Sequence, residues 1–185
     1  MTRIASSLII ILAGALTFFV GKAISAQDKY TVQVPDGLAF SEFRGYEDWP
    51  VIATSENGGN FAAILGNPVT IDAYKEGIPG NGKPFPDGAK MAKIHWHPKK
   101  QEAYPGQPLV PGTQYNADFM VKDSKRFADS GGWGFGEFEY DAASNKFRIG
   151  NSTDDPPQGN DAKCGFACHT IAKKTDFVFT AYAKR

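Results

Sequence analysis

The chain has 185 residues, of which 42% are hydrophobic, 22% charged and 13% aromatic; that excludes a disordered polymer, and a single long apolar run excludes a polytopic membrane protein. Lys+Arg and Asp+Glu both number 20, so the basic excess of a nucleic-acid binder is missing and no nucleic-acid partner is expected. Gly 20 and Pro 12 predict many turns and a sheet-rich body, two cysteines cannot make a disulfide framework, and the length predicts one domain.

Residues 1–26 read as a secretory signal: Arg3 first, then an apolar run from Ile4 to Val20, then the small-residue segment Ala23-Ile24-Ser25-Ala26 as a cleavage site. An uncleaved anchor is the alternative, disfavoured because small residues follow the run directly. The mature chain is then 27–185, with a net charge of about −2, too small to imply a charged partner. The expected location is periplasmic or secreted, with no membrane attachment after cleavage. In such a compartment thiols oxidise and haem can be attached.

In the mature chain, residues 28–60 read as an irregular start with apolar patches at Val32, Val34, Trp49 and Ile52. Asn57-Gly58-Gly59-Asn60 is a turn and Phe61–Leu65 a strand. Gly66-Asn67-Pro68 breaks it, and Thr70 is placed to N-cap a short helix through Tyr74 that ends at Gly77. Residues 78–88 form a Gly/Pro loop, 89–97 a strand, 98–113 a second loop and 114–122 another strand. Asp123 caps a short exposed helix start through Phe127, with Lys122 to Arg126 as its solvated cations. Residues 131–140 and 146–149 form a hairpin, and Phe177–Thr180 a short final strand. Connections too short for repeated crossover helices predict an α+β fold: a mainly antiparallel sheet with a few packed helices.

Two stretches could carry chemistry. In Cys164-Gly165-Phe166-Ala167-Cys168-His169, a His directly follows the second of two closely spaced cysteines, as in c-type haem attachment, but three residues separate the thiols where two are usual. The chemistry needs two thiols that reach two vinyl groups on one porphyrin edge and an imidazole that turns under the ring to ligate iron. The alternative is a Cys164–Cys168 disulfide with His169 incidental. In the strand Lys90 to His97, alternation puts Met91, Lys93, His95 and His97 on one face and Lys90, Ala92, Ile94 and Trp96 on the other. His95 and His97, with His169 as a third ligand, could hold zinc or copper; the plainer reading is a solvated face. Glu137 and Glu139 share a strand face, as proton carriers or as the wet side of a sheet.

Together these residues resemble the cytochrome P-460 family. Val121-Lys122-Asp123-Ser124-Lys125-Arg126-Phe127-Ala128, followed by Trp133, is similar to the middle of that family, and Cys168-His169 with Thr175-Asp176-Phe177-Val178-Phe179-Thr180 to its haem-attachment end. Asp87-Gly88 with Lys93 is similar to a third element, and Tyr46 with Trp49 to an earlier aromatic pair. The fold is shared with cytochrome c′-beta, whose members bind nitric oxide or carry electrons. The resemblance implies one covalent c-type haem (haem c) and its iron, held by Cys164 and Cys168, with His169 as proximal ligand and Lys93 cross-linked to the porphyrin. It further implies oxidation of hydroxylamine to nitric or nitrous oxide, and a soluble electron acceptor such as a c-type cytochrome. Asp161, shortly before the first Cys, is the candidate for assisting proton transfer. An arginine of the family's pattern is missing from the strand at 61–66, where Ala62, Ala63, Ile64 and Leu65 stand. Dimers are common in this fold, so a homodimer is left open, with no seam legible in the sequence.

Overall fold

Gly58 and Gly59 both take positive φ (58° and 84°), the backbone that a two-residue hairpin turn requires. The turn joins β1 (Val51–Asn57) to β2 (Asn60–Gly66). The chain then passes through α1 (Pro68–Lys75) to β3 (Lys90–Lys100), β4 (Leu109–Lys122), β5 (Trp133–Asp141), β6 (Lys146–Ile149) and α2 (Ala162–His169). The six strands form one antiparallel meander in sequence order, β1-β2-β3-β4-β5-β6, so the α+β class predicted from the sequence is the class observed. This computed structural model describes residues 27–151, 153–160 and 162–184; the expected signal segment, 1–26, lies outside the described residues. Among the described residues no helix is long and apolar enough to cross a membrane.

Each face of the meander has its own core. On one, Ala92 and Ile94 of β3, Ala117, Phe119 and Val121 of β4 and Phe138 of β5 pack under Leu38 and under Phe40, Phe43 and Tyr46, the last three on short 3-10 turns at Phe40–Phe43 and Tyr46–Asp48. Phe40 is fully buried there, with ring centroids 5.3 Å from Phe119, 4.7 Å from Phe138 and 4.9 Å from Phe147. The other face carries Ile64, Met91, Met120, Trp133 and Phe135, covered in part by α1 and by the C-terminal Phe177 and Val178. The strand alternation predicted for Met91 and Lys93 against Lys90, Ala92 and Ile94 therefore holds.

Several elements differ from the sequence reading. Residues 51–57 are an edge strand, hidden from pattern reading because Ile52 is its only fully buried residue. α1 is capped by Asn67, whose side chain accepts from the Thr70 amide at 3.0 Å; Thr70 itself lies inside the helix behind Pro68 at the first position. Half of the expected loop at 98–113 is strand. There β3 and β4 continue as a two-stranded ribbon, past the last ladder pairs with β2 (at Trp96) and β5 (at Asn116). Pro98 and Pro111 face each other in that ribbon, where a missing ladder donor costs little. Lys122 is buried at the end of β4, where an exposed helix start was expected. Phe177–Thr180 makes no ladder: Phe177 has φ 64° and the segment is held by single bonds, such as Tyr74 Oη to the Thr180 carbonyl at 2.8 Å.

Phe40→Ala should cost about 3–5 kcal/mol, because it empties a closed aromatic cluster that cannot collapse fully. Urea unfolding of the purified variant checks this; a loss below about 1 kcal/mol would show that the 3-10 segment is not part of the cooperative core.

Candidate functional site

In the ladder, Ile64 pairs with Lys93, Lys93 with Asp118 and Asp118 with Glu137. Residues paired across an antiparallel ladder share a face, so Lys93, Asp118 and Glu137 form one polar row across three strands. On one side of it Met91, Met120 and Phe135 form an apolar row. On the other, His95 stands opposite Asn116. His95 Nε2 lies 2.8 Å from Asp118 Oδ2, His95 Nδ1 lies 3.2 Å from the Tyr115 hydroxyl, and Asn116 Nδ2 donates to Glu137 Oε1 at 2.8 Å. Two further oxygens of this group, Asp118 Oδ1 and Asn116 Oδ1, are buried with no hydrogen-bond partner among the described residues. Two acceptors so placed call for a donor from something bound.

The cysteine segment, given no secondary structure from the sequence, is a helix. In α2, Cys164 and Cys168 are four residues apart, so both thiols lie on one face a single turn apart. Both are exposed. Gly165 lets this helix settle on β5: a Cβ there would lie 2.8 Å from Phe135 Cβ. The helix ends at His169, half-buried with its ring 5.0 Å from Phe135 and 5.1 Å from Phe179. His169 Nδ1 lies 2.7 Å from the Phe177 carbonyl. A carbonyl only accepts, so Nδ1 carries the proton and Nε2 keeps its lone pair free. Burial pulls the His169 pKa below its ordinary value, and the charge of Lys93 adds to this against the Phe177 hydrogen bond and Asp118. The neutral, ligand-competent imidazole is thereby favoured.

Two adjoining cavities of about 500 and 480 Å3 occupy this face. Lys93, Asp118, Met120, His169 and Phe179 line both. The first continues toward Ile64 and Val178, the second toward Glu137, Cys164 and Cys168.

Of the residues singled out from sequence, Lys93, Cys164, Cys168 and His169 are thus brought to one place. Asp161 lies outside the described residues. The disulfide alternative is not seen: both thiols are free. Nor do His95 and His97 act together: His97 turns to Asn60 at 3.0 Å and stacks on Tyr115, and among the described residues no group of three or more His, Cys, Asp or Glu is placed to hold a metal ion. Glu137 lines the second cavity, whereas Glu139 is a surface partner of Arg148. Sequence reasoning missed Asp118. Its only signal is its position opposite Lys93, which becomes readable once the β3–β4 register is known.

The family model for cytochrome P-460 matches residues 43–180, and the chain belongs to that family; among curated proteins the sequence finds no match. Members are haem proteins, and the residues present fit such a group. Two accessible thiols share a helix face, an imidazole keeps Nε2 free, and an apolar floor of Met91, Met120 and Phe135 lies beside unpartnered buried acceptors.

In protein made without haem-attachment machinery, both thiols should react with iodoacetamide under native, non-reducing conditions. Mass spectrometry should find two adducts per chain; zero adducts without reductant and two with it would restore the disulfide.

Proposed function

We propose that this cytochrome P-460 family member is exported by way of residues 1–26 and oxidises hydroxylamine to nitric or nitrous oxide, passing electrons to a soluble acceptor such as a c-type cytochrome. Cys164 and Cys168 would hold the porphyrin covalently, His169 the iron, and Lys93 a second point on the porphyrin edge. The bound haem would supply an iron with a position for a small nitrogen ligand and a store for electrons. The observation that carries the reading is His169. One residue after Cys168, it has Nδ1 committed to the Phe177 carbonyl and lines the same cavities as Lys93 and Asp118.

Oxidising hydroxylamine releases protons along with electrons, so the site needs somewhere to put them. Asp118 offers a free acceptor at Oδ1, and its Oδ2 is already bonded to His95 Nε2. Asp118 would accept the proton at Oδ1, while His95 Nε2–H, bonded to Oδ2, holds the carboxylate in place. Burial, then the charges of Asp118 and Glu137, raise the Tyr115 pKa and keep its hydroxyl neutral. An apolar pocket suited only to gas binding would have no such row of carboxylates. Lys93, opposite Asp118 in the ladder, adds a positive charge to the row.

The test is to purify the chain with a haem-attachment system, map peptide masses around Lys93 and around 164–169, and assay hydroxylamine with an oxidant under anaerobic conditions. A covalent haem mass and turnover are expected, with Asp118→Asn and His95→Phe each lowering turnover about 100-fold and leaving nitric oxide binding intact. A haem-free mass overturns the proposal. Nitric oxide binding without turnover in the parent chain overturns the enzyme reading in favour of a binder of the cytochrome c′-beta kind.

A further inference from the structure

Lys122 ends β4 and Asp176 follows the 3-10 turn Thr170–Thr175, yet their side chains meet almost out of solvent, at 6% and 12% exposure. Lys122 Nζ donates to Asp176 Oδ1 at 2.8 Å, to Oδ2 at 3.0 Å and to the Gly131 carbonyl at 3.0 Å, and it sits 5.1 Å from the Trp133 ring centroid. Asp176 Oδ2 also accepts the Phe85 amide at 2.8 Å. Every proton of the ammonium and both carboxylate oxygens are therefore engaged.

What this pair secures is the backbone beside it. Asp176 and Phe177 are consecutive left-handed residues (φ 51° and 64°), a conformation that non-glycine residues adopt only when their surroundings impose it. The Phe177 ring is seated on Gly131, where a Cβ would lie 2.2 Å from Phe177 Cε2, so only glycine leaves room. The same Gly131 presents its carbonyl to Lys122. The outcome of the left-handed pair is the direction of the Phe177 carbonyl, which points at His169 Nδ1. As a stability device a buried ion pair is no better than an apolar one. An apolar pair, however, could not anchor Phe85, Gly131 and the 176–177 turn at once.

We infer that Lys122 and Asp176 are positioning residues for His169: their ion pair holds the 176–177 turn, and through the Phe177 carbonyl it sets the orientation and electron donation of the imidazole. The inference rests on the reading that His169 ligates the haem iron. A ligating imidazole whose other nitrogen donates to a fixed acceptor is oriented and made more basic, and that outer partner tunes the metal. Two stretches of this chain far apart in sequence, 121–128 and 175–180, thereby acquire one shared task.

The test compares haem-loaded Lys122→Met and Asp176→Asn with Lys122→Arg and with Phe40→Ala, a core change on the opposite sheet face. Resonance Raman of the ferrous proteins reads the iron–histidine stretch, and a redox titration reads the midpoint potential. In Lys122→Met and Asp176→Asn the stretch should move to lower frequency and the potential to a more positive value. Lys122→Arg should restore part of both shifts, and Phe40→Ala should leave both at the parent values. Unmoved stretch and potential in folded, haem-replete Lys122→Met and Asp176→Asn overturn the inference. If those two fail to fold, Phe177→Gly, which relaxes the turn without touching the ion pair, should produce the same shifts; parent-like values there overturn it equally. A chain that takes up no haem defeats the haem reading separately. The inference is then read from the His169 ring-nitrogen shifts in 15N NMR: an Nδ1–H tautomer in the parent and a tautomer mixture in the variants supports it, and identical spectra overturn it.

Discussion

Register is the constraint on which the rest of this molecule depends. A strand alternates faces with a period of two, so shifting one strand by a single residue would exchange its whole inner and outer sets. Here the pairing of Lys93 with Asp118 and of Asp118 with Glu137 is the same pairing that sets Ala92 against Phe119 and Ile94 against Ala117 one residue away. The aromatic core on one face thus specifies the polar row on the other. Phe40, Phe43 and Phe119, stacked and edge-on at 4.2 to 5.3 Å, leave no room for the slipped arrangement, and removing them from a dry cluster costs several kcal/mol. The side chains that could handle protons are held in place by rings that never touch them.

The second half of the site comes from outside the sheet. α2 lies close on β5 because Gly165 has no side chain to hold it off, and the chain then doubles back so that Phe177–Phe179 pass His169. The sheet supplies Lys93 and Asp118 on a rigid frame; the C-terminal segment supplies the two thiols and the imidazole on a short helix and a turn. Among the described residues those two parts meet through packing and a handful of polar bonds, and the Lys122–Asp176 pair is an almost fully buried one. Leaving either charge of such a pair alone would cost about 3–5 kcal/mol, more than most single contacts in a domain of this size.

Legibility in the sequence followed the strength of local patterns. β2, β3, β4 and the β5–β6 hairpin could be read because apolar alternation and Gly or Asn turns are local signals. The faces of β3 could be assigned from alternation alone, which is why Lys93 could be separated from Lys90. β1 and the outer ribbon of β3 and β4 were missed because an edge strand and a two-stranded ribbon bury few residues, and Pro98 and Pro111 imitate a loop. α2 was missed for a different reason. Cys164-Gly165-Phe166-Ala167-Cys168 has a Gly in its middle and almost no amphipathic pattern, so its helicity is imposed by packing against Phe135. Asp118 was illegible because its partners, Lys93 on β3 and Glu137 on β5, are set by tertiary pairing.

The spacing of the cysteines takes on a different meaning once the segment is a helix. Counted along an open loop, three intervening residues look like an insertion that would have to bulge. Counted along a helix, they place Cys164 and Cys168 one turn apart on one face, and the following residue, His169, is rotated roughly a further 100° about the axis. The thiols therefore face outward together while the imidazole turns under, toward Phe135 and the Phe177 carbonyl. That division, sulfur on the exposed face and nitrogen on the half-buried one, is what a group anchored at its edge and ligated at its centre demands. The extra residue is thus accommodated by helical geometry, and the departure from the usual spacing ceases to be an objection to the proposed attachment.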